Sequence, residues 1–408
     1  MSAARDAISE TWQTRSAPHL TGGNTHRHIA RSWISAAALA GVCGVAVYGP
    51  GALGVLVVAI FSAAATDVAV GLTARRPAAG GFTHSILTGL ILGLTLPASV
   101  SVVDVSTPTV ASLPWYVPAV GAAVAVCVKA LFGGMGHCLW HPALVGRVVV
   151  QFLFWQHLSF SAGSQTIPAP VLSPGHLFVG NVSDARRIAP QEYQGWRVEH
   201  ERTPSYDAFL IERTVVQLRA FTDGLVEAER EQQFTTLIRD NLPPWRDQAL
   251  GTVPGGIGET CHAALIIAGF FLIYRSHLRW QLPAAILISA GLAAAILPVL
   301  ADGTGESYRW LPGIAVENGR AVGVSYVVFQ LTSGPLLLGA FILAGDMMLS
   351  PMRAKGQIVY GAGIGVLTIF LRLYGPVEGA CYWSILVMNT LVPTIDRALK
   401  RPVLGLAS

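Results

Sequence analysis

Charge is what this sequence has least of. Asp, Glu, Lys and Arg make up 12% of the 408 residues, against 52% in the apolar set. An ordinary soluble domain carries about 25% charge, so a soluble globular enzyme is a poor description of the chain. Cysteine is scarce as well: Cys43, Cys127, Cys138, Cys261 and Cys381 are odd in number, and no two stand in a C-x-x-C pair. They form neither a disulfide framework nor a zinc or iron–sulfur motif. The net charge of +4 is dispersed along the chain and gives no nucleic-acid footprint. Phosphate loops are missing too, because neither Gly133-Gly134 with Gly136 nor Gly255-Gly256 with Gly258 is followed by Lys-Ser/Thr. Those glycines suit tight turns and close backbone approach at the ends of spans.

Apolar runs fill the space that charge leaves. Ten are found, at roughly Ser32 to Tyr48, Ala52 to Thr73, Phe82 to Leu96, Trp115 to Phe132, Ala143 to Leu158, Cys261 to Tyr274, Leu282 to Leu300, Ser325 to Ala344, Ile358 to Leu373 and Cys381 to Val392. Several fall short of the ~20 residues that a perpendicular span needs. Gly- and Pro-interrupted pieces such as Leu87 to Pro97 read as broken or re-entrant helices, which a bundle tolerates where they are shielded from lipid. Trp115, Tyr116, Trp140, Trp155, Trp280, Trp310 and Trp383 fall mostly at span ends and read as an anchoring belt. The expectation is an all-α integral membrane protein of about ten transmembrane helices.

Positive charge in the short connections orients the bundle, since cytoplasmic loops hold the excess. Arg5, Arg15, Arg27, Arg31, Arg75, Arg76, Lys129, Arg147, Arg275, Arg279, Arg353, Lys355, Arg397, Lys400 and Arg401 collect on one side, and Arg309, Arg320 and Arg372 on the other. Fifteen against three puts both termini in the cytoplasm of a multi-pass protein. Residues 1–30 then form a cytoplasmic arm without a signal peptide's apolar core, 31–158 a first five-helix repeat, 159–258 an extracytoplasmic insert, 259–396 a second repeat, and 397–408 a cytoplasmic tail. The insert alone has soluble composition, with nine basic and twelve acidic residues, and its stretch Tyr206 to Asn241 reads as an amphipathic helix ended by Pro243-Pro244. Leu87-Thr88-Gly89-Leu90-Ile91-Leu92-Gly93 echoes Leu331-Thr332-Ser333-Gly334-Pro335-Leu336-Leu337-Leu338-Gly339. By the loop count these two segments enter from opposite faces, the relation of an inverted repeat.

Acidic residues inside the apolar envelope are functional candidates by default. Asp67 lies late in the second segment and is the most interior, Asp346 closes the eighth, and Glu259 and Glu378 stand at the entrances of the sixth and tenth. All four are candidates for ion coupling. Glu259 also suits a purely structural role beside a helix N-terminus, and Lys129 is expected to snorkel to the aqueous surface.

Four passages carry a family resemblance: Thr88 to Pro97, Lys129 to Gly136 continuing through Pro142 to Arg147, Pro254 to Thr260, and Gly361 to Asp396 with its Leu-Val-Pro-Thr-Ile-Asp ending. In order and spacing they resemble the membrane family that contains RnfD of the Rnf electron-transport complex and NqrB of the sodium-pumping NADH:quinone oxidoreductase. The resemblance implies a ten-span inverted-repeat fold in the plasma membrane of a bacterium, within a multi-subunit redox complex that moves Na+ or H+. It also implies FMN or riboflavin, with one FMN joined to a threonine of a Ser-Gly-Ala-Thr type motif in the insert. No such motif occurs here, and Thr222, Thr235 and Thr236 are weak substitutes without small neighbours. The second flavin passage has Cys138 and His141 where the family has asparagine, and a thiol replaces an amide poorly at a flavin edge.

His84 and His262 replace small residues of the family, and His137 and His141 join His84 on one face. Neutral imidazoles ligate haem iron, so a substituted redox centre built on His84 with His137 or His141 is one reading. Interfacial histidines bonded to loops are the other, and the favoured, reading. The chain is thus read as a subunit of a redox-driven ion-translocating complex, not an enzyme alone. A cofactor-free solute transporter or a scaffold subunit on the same fold stand as alternatives.

Overall fold

A computed structural model describes residues 26–74, 82–103, 108–132, 138–154, 158, 166–167, 249–250, 256–259, 261–300, 308–314, 322–346, 349–375 and 379–399. Each of the ten apolar segments lies on a helix. They are α1 His26–Tyr48, α2 Pro50–Ala74, α3 Phe82–Leu94, α4 Tyr116–Leu131, α5 Pro142–Leu153, α6 His262–Tyr274, α7 Gln281–Ile296, the pair α8 Val322–Thr332 and α9 Leu336–Leu343, α10 Ala354–Tyr374 and α11 Ala380–Ala398. Three helices are long and apolar enough to cross a membrane, or four if the α8–α9 pair, bent by 59°, counts as one. Outward faces carry Phe61, Leu72, Phe270 and Ile288, all more than half exposed. Such an apolar exterior is untenable in water and is what lipid solvates.

The expected all-α membrane class holds for the long elements, and short strands lie beyond the helix ends. Two short hairpins occur, β1 Ser99–Val103 with β2 Pro108–Ser112, and β4 Val299–Leu300 with β5 Tyr308–Arg309, while β3 Thr166–Ile167 adds an edge to β1. They fall in stretches rich in β-branched residues beyond the helix ends. Apart from β3, Ala249–Leu250 and 256–258, the insert 159–258 lies outside the described residues, including the Tyr206 to Asn241 stretch.

Gly-Pro pairs set the corners. Gly49 adopts φ 74° and donates to the Val45 carbonyl, and Pro50 starts α2 with its ring at a position that needs no N–H donor. Gly334, at φ 59°, and Pro335 repeat the device between α8 and α9. The sharp break thus falls in the eighth apolar segment. In the third, α3 stops at Leu94, before Pro97. Beyond the α8–α9 bend, Gly339–Leu343 is wound as a π-helix that leads into Asp346, a winding often found at functional sites.

Within the first half α2 packs on α3 and α4, and α4 on α5; within the second α7 packs on α8 and α10, and α10 on α11. Small residues permit these approaches, because helices in lipid associate by close backbone packing. A Cβ on Gly89 would stand 2.6 Å from the Ala59 carbonyl oxygen and 2.8 Å from the Ile60 Cα. Gly89→Val is expected to lower stability by roughly 1–3 kcal/mol through overpacking. Thermal melting in detergent checks this, with Gly54→Ala, which meets open space, as the control.

Candidate functional site

Five separate elements bring ionisable groups near one another. The C-terminal part of α2 brings Asp67 and the last turn of α4 brings Lys129, the start of α3 brings His84, the connection before α5 brings Cys138 and His141, and the segment after α9 brings Asp346. His84, Leu87, Thr88, Ile91, Lys129, Cys138, His141, Pro142, Asp346 and Leu349 line a cavity of about 40 Å³. That is room for two or three waters or a dehydrated metal ion.

Lys129 is the surprise. The expected snorkelling does not occur: the residue is 6% exposed, and its Nζ is fully buried without a hydrogen-bond partner among the described residues. It sits instead in the electrostatic field of Asp67, Cys138 and Asp346. Asp67 is itself buried, at 7% exposure. His141, at 3%, holds Nε2 3.9 Å from Asp346 Oδ2, and neither ring nitrogen forms a hydrogen bond among the described residues. Pro142 follows it at the first position of α5, which fixes the chain's entry angle.

Burial pushes the His141 imidazole below its usual range, although the Asp346 carboxylate pulls the other way. Burial also raises the Cys138 thiol, against the pull of Lys129 and with a further push from Asp346. His141 is therefore neutral, and Cys138 is a thiol rather than a thiolate. The sign for stability follows from proton counting. As pH falls through about 6.5 the unfolded chain binds a proton at this histidine before the folded one does, so stability declines. His141→Gln is expected to shrink the drop in melting temperature between pH 7.5 and 5.5.

The other candidates lie elsewhere or outside the described residues. His137, Glu378, Thr222, Thr235 and Thr236 are among the latter. His262 is buried at the start of α6, away from the cavity. The Glu259 carboxylate accepts from the Gly256 N–H at 3.3 Å and from the Tyr382 hydroxyl. It belongs to a knot in which the four recognisable passages meet. Ile257 N and Gly258 N donate to the carbonyls of Leu96 and Leu94, and Arg147 Nε donates to the Thr95 carbonyl at 3.0 Å. Together they satisfy the buried carbonyl end of the short helix α3.

A comparable clamp closes α8, and neither clamp is apparent from sequence pattern alone. Arg372 is 1% exposed and donates to the Gln330 carbonyl at 2.5 Å, the Ser333 carbonyl at 2.7 Å and Ser333 Oγ at 3.1 Å. A cation at a helix C-terminus is favoured by the dipole, and the two terminal nitrogens of the guanidinium answer two carbonyls that would otherwise be orphaned.

The side chains that line this cavity include a thiol, two imidazoles, an ammonium and a carboxylate but no amide to pair with a flavin edge. The lining suits a small cation or a proton.

Apolar outward faces, a bent helix pair and ionisable groups gathered below the surface define a membrane-embedded, predominantly helical protein. The chain belongs to the NQR2, RnfD, RnfE family, whose model matches residues 13–405. It is 28% identical to the component designated D of the proton-translocating ferredoxin:NAD(+) oxidoreductase complex of Clostridium ljungdahlii, over 94% of this chain and 92% of that one. The corresponding component of the Na(+)-translocating ferredoxin:NAD(+) oxidoreductase complex of Acetobacterium woodii is 26% identical, over 96% and 94%. That of the ion-translocating oxidoreductase complex of Cronobacter sakazakii is 28% identical, over 90% and 92%.

Proposed function

We propose that this protein is the membrane subunit of a redox-driven ion-translocating complex, and that Asp67 and Asp346 form the cation or proton site of its coupling step. The observation that carries the site is a small cavity lined by Asp346 and by the buried Lys129 ammonium, which forms no hydrogen bond among the described residues and lies in the field of the buried Asp67. Family membership and relatives named as subunits of such complexes support the rest, including partner subunits that deliver and accept electrons. The names of two relatives specify different ions, H+ and Na+, at nearly equal identity, so this site is read as a monovalent-cation site of either kind.

Coupling at such a site is electrostatic. A negative charge arriving in the complex ~10 Å away, at an effective dielectric of ~20, favours a cation by about 1.7 kcal/mol, a change of more than tenfold in occupancy. Glu259, with its carboxylate taken up by Gly256 and Tyr382, is assigned to holding the α3 end.

Ten spans in two inverted halves, in a bacterial plasma membrane with both termini cytoplasmic, complete the proposal. The helix pairings support the repeat, since α2 with α3 and α4 corresponds to α7 with α8 and α10. Lys129, Arg147 and Arg372 are buried and leave the loop count. Thirteen positive residues against two then remain, and the sign is unchanged. Reporter fusions at each terminus check it.

The functional test uses the whole complex in liposomes. Asp67→Asn and Asp346→Asn are expected to abolish Na+ or H+ uptake while electron transfer continues in the presence of an ionophore. Uptake at the wild-type rate in both variants would overturn the assignment. The FMN or riboflavin implied by the family is read from the visible spectrum before and after acid precipitation, where colour in the pellet marks a covalent flavin and colour in the supernatant a free one.

A further inference from the structure

We propose that Cys43 and Cys261 are a redox-active thiol pair, which exchanges with a disulfide-bearing molecule to close an intrachain bond between α1 and the chain that enters α6. The two stand far apart in sequence, and no motif spacing pairs them. The fold does, at a place apart from the ion-site cavity, whose lining includes neither residue.

Three features bring the sulfurs together. α1 packs on α6. Beside Cys43, Gly44 meets the turn that precedes Cys261: a Cβ there would collide with the Ile257 carbonyl oxygen and stand 2.6 Å from Ile257 Cγ2. The Cys43 and Cys261 side chains share a hydrogen bond, and both are free thiols. Disulfides demand such an approach, because they span Cα atoms no more than ~7 Å apart. The turn itself is held, since Ile257 N and Gly258 N donate to the Leu96 and Leu94 carbonyls. Cys261 is 8% exposed and donates to the Ala249 carbonyl at 3.8 Å, whereas Cys43 is half-buried. With the N-terminus in the cytoplasm, as proposed above, the C-terminal part of α1 and the start of α6 lie toward the opposite face. That is the compartment in which bacterial disulfides form and persist.

The step is a thiol–disulfide exchange with a disulfide R–S–S–R as the oxidant. Cys43, the more exposed of the two, loses its thiol proton to solvent and attacks one sulfur of R–S–S–R. A mixed disulfide Cys43–S–S–R forms, and RS− leaves and takes up a proton. Cys261, deprotonated in turn, attacks the Cys43 sulfur and expels the second RS−, which is also protonated. The protein loses two electrons, and one R–S–S–R becomes two R–SH. The new bond ties α1 to the turn that caps the carbonyl end of α3.

The purified full-length protein in nanodiscs tests this. It is reduced, freed of reductant, treated with an equimolar amount of the membrane-permeable disulfide 4,4′-dithiodipyridine, and quenched with N-ethylmaleimide. Peptide mapping is expected to find Cys43 joined to Cys261 in most chains, and dithiothreitol to reverse the linkage. The oxidised protein is expected to melt a few degrees above the reduced one, because a cross-link that closes a long loop restricts the unfolded chain. Cys43→Ser and Cys261→Ser are each expected to melt like the reduced wild type and to lose that rise. Maleimide recovered on both Cys43 and Cys261 of the treated wild type, or a separate mixed disulfide on each, overturns the pair. The wild type alone decides, whether or not the variants fold, and neither ion binding nor membrane orientation enters the measurement.

Discussion

Arg372→Leu is expected to cost about 3–5 kcal/mol of stability, enough to remove most folded protein from a detergent extract. The end of α8 is buried at Gln330 and half-buried at Ser333. Arg372 reaches them from α10, donating to the Gln330 and Ser333 carbonyls and to Ser333 Oγ. Leucine fills much of the volume and strands those acceptors. Each buried hydrogen bond from a charged donor contributes roughly 1.5–3 kcal/mol, and a stranded carbonyl costs a further ~1–3 kcal/mol. The bend at Gly334-Pro335 makes the loss worse, since α8 and α9 have no continuous backbone ladder between them. Arg372→Lys keeps the charge but not the fork, and is expected to fall between wild type and leucine. Yield of monodisperse protein and the melting temperature distinguish the three, and equal melting of leucine variant and wild type would rule the clamp out. Arg147→Leu, with a single carbonyl at Thr95 to strand, is expected to lose less.

Neither clamp is legible in the sequence. Hydropathy locates the helices because lipid and core both select apolar side chains, and all ten apolar segments lie on helices. Their ends are less visible. The first helix starts at His26, not Ser32, and the last runs through Pro393 to Ala398, beyond Val392. Helices continue into the polar layer, where composition stops distinguishing them from loops. At the other extreme, the seventh apolar segment outlasts its helix: α7 ends at Ile296, and Val299–Leu300 form a strand. For the site, placing Asp67, His84, Cys138, His141 and Asp346 at the same level of the bundle requires only the alternation of segment direction. Lys129 defeats the pattern, because a lysine in the final turn of an apolar helix looks the same whether it reaches water or faces a buried acid. Arg372 passes as a loop charge for the same reason. Only the tertiary partner, a broken helix for Arg372 and a carboxylate for Lys129, separates these cases, and neither is near in sequence.

The largest functional effect is expected from Asp67→Asn, a loss of roughly 10²- to 10³-fold in cation affinity. A carboxylate about 4 Å from a monovalent cation, at an effective dielectric near 20, contributes about 4 kcal/mol, which is the upper end of that range. The same change removes a negative charge from the field that holds Lys129, so it is also expected to destabilise the fold by roughly 1–3 kcal/mol. Loss of binding in the single variant is therefore ambiguous between a missing ligand and a distorted site. The double variant Asp67→Asn/Lys129→Gln separates the two causes. It removes the acid together with the ammonium that depended on it, and its melting temperature is expected to recover most of the loss, a favourable coupling within the ~0.5–3 kcal/mol found for interacting neighbours. Na+ binding is expected to stay lost, because Asp346 alone remains to neutralise the ion. If stability and binding recovered together, Asp67 would be a partner for Lys129 and nothing more. Recovery of neither would mean that the Asp67 carboxylate does not act on the Lys129 ammonium, contrary to the field in which that ammonium sits.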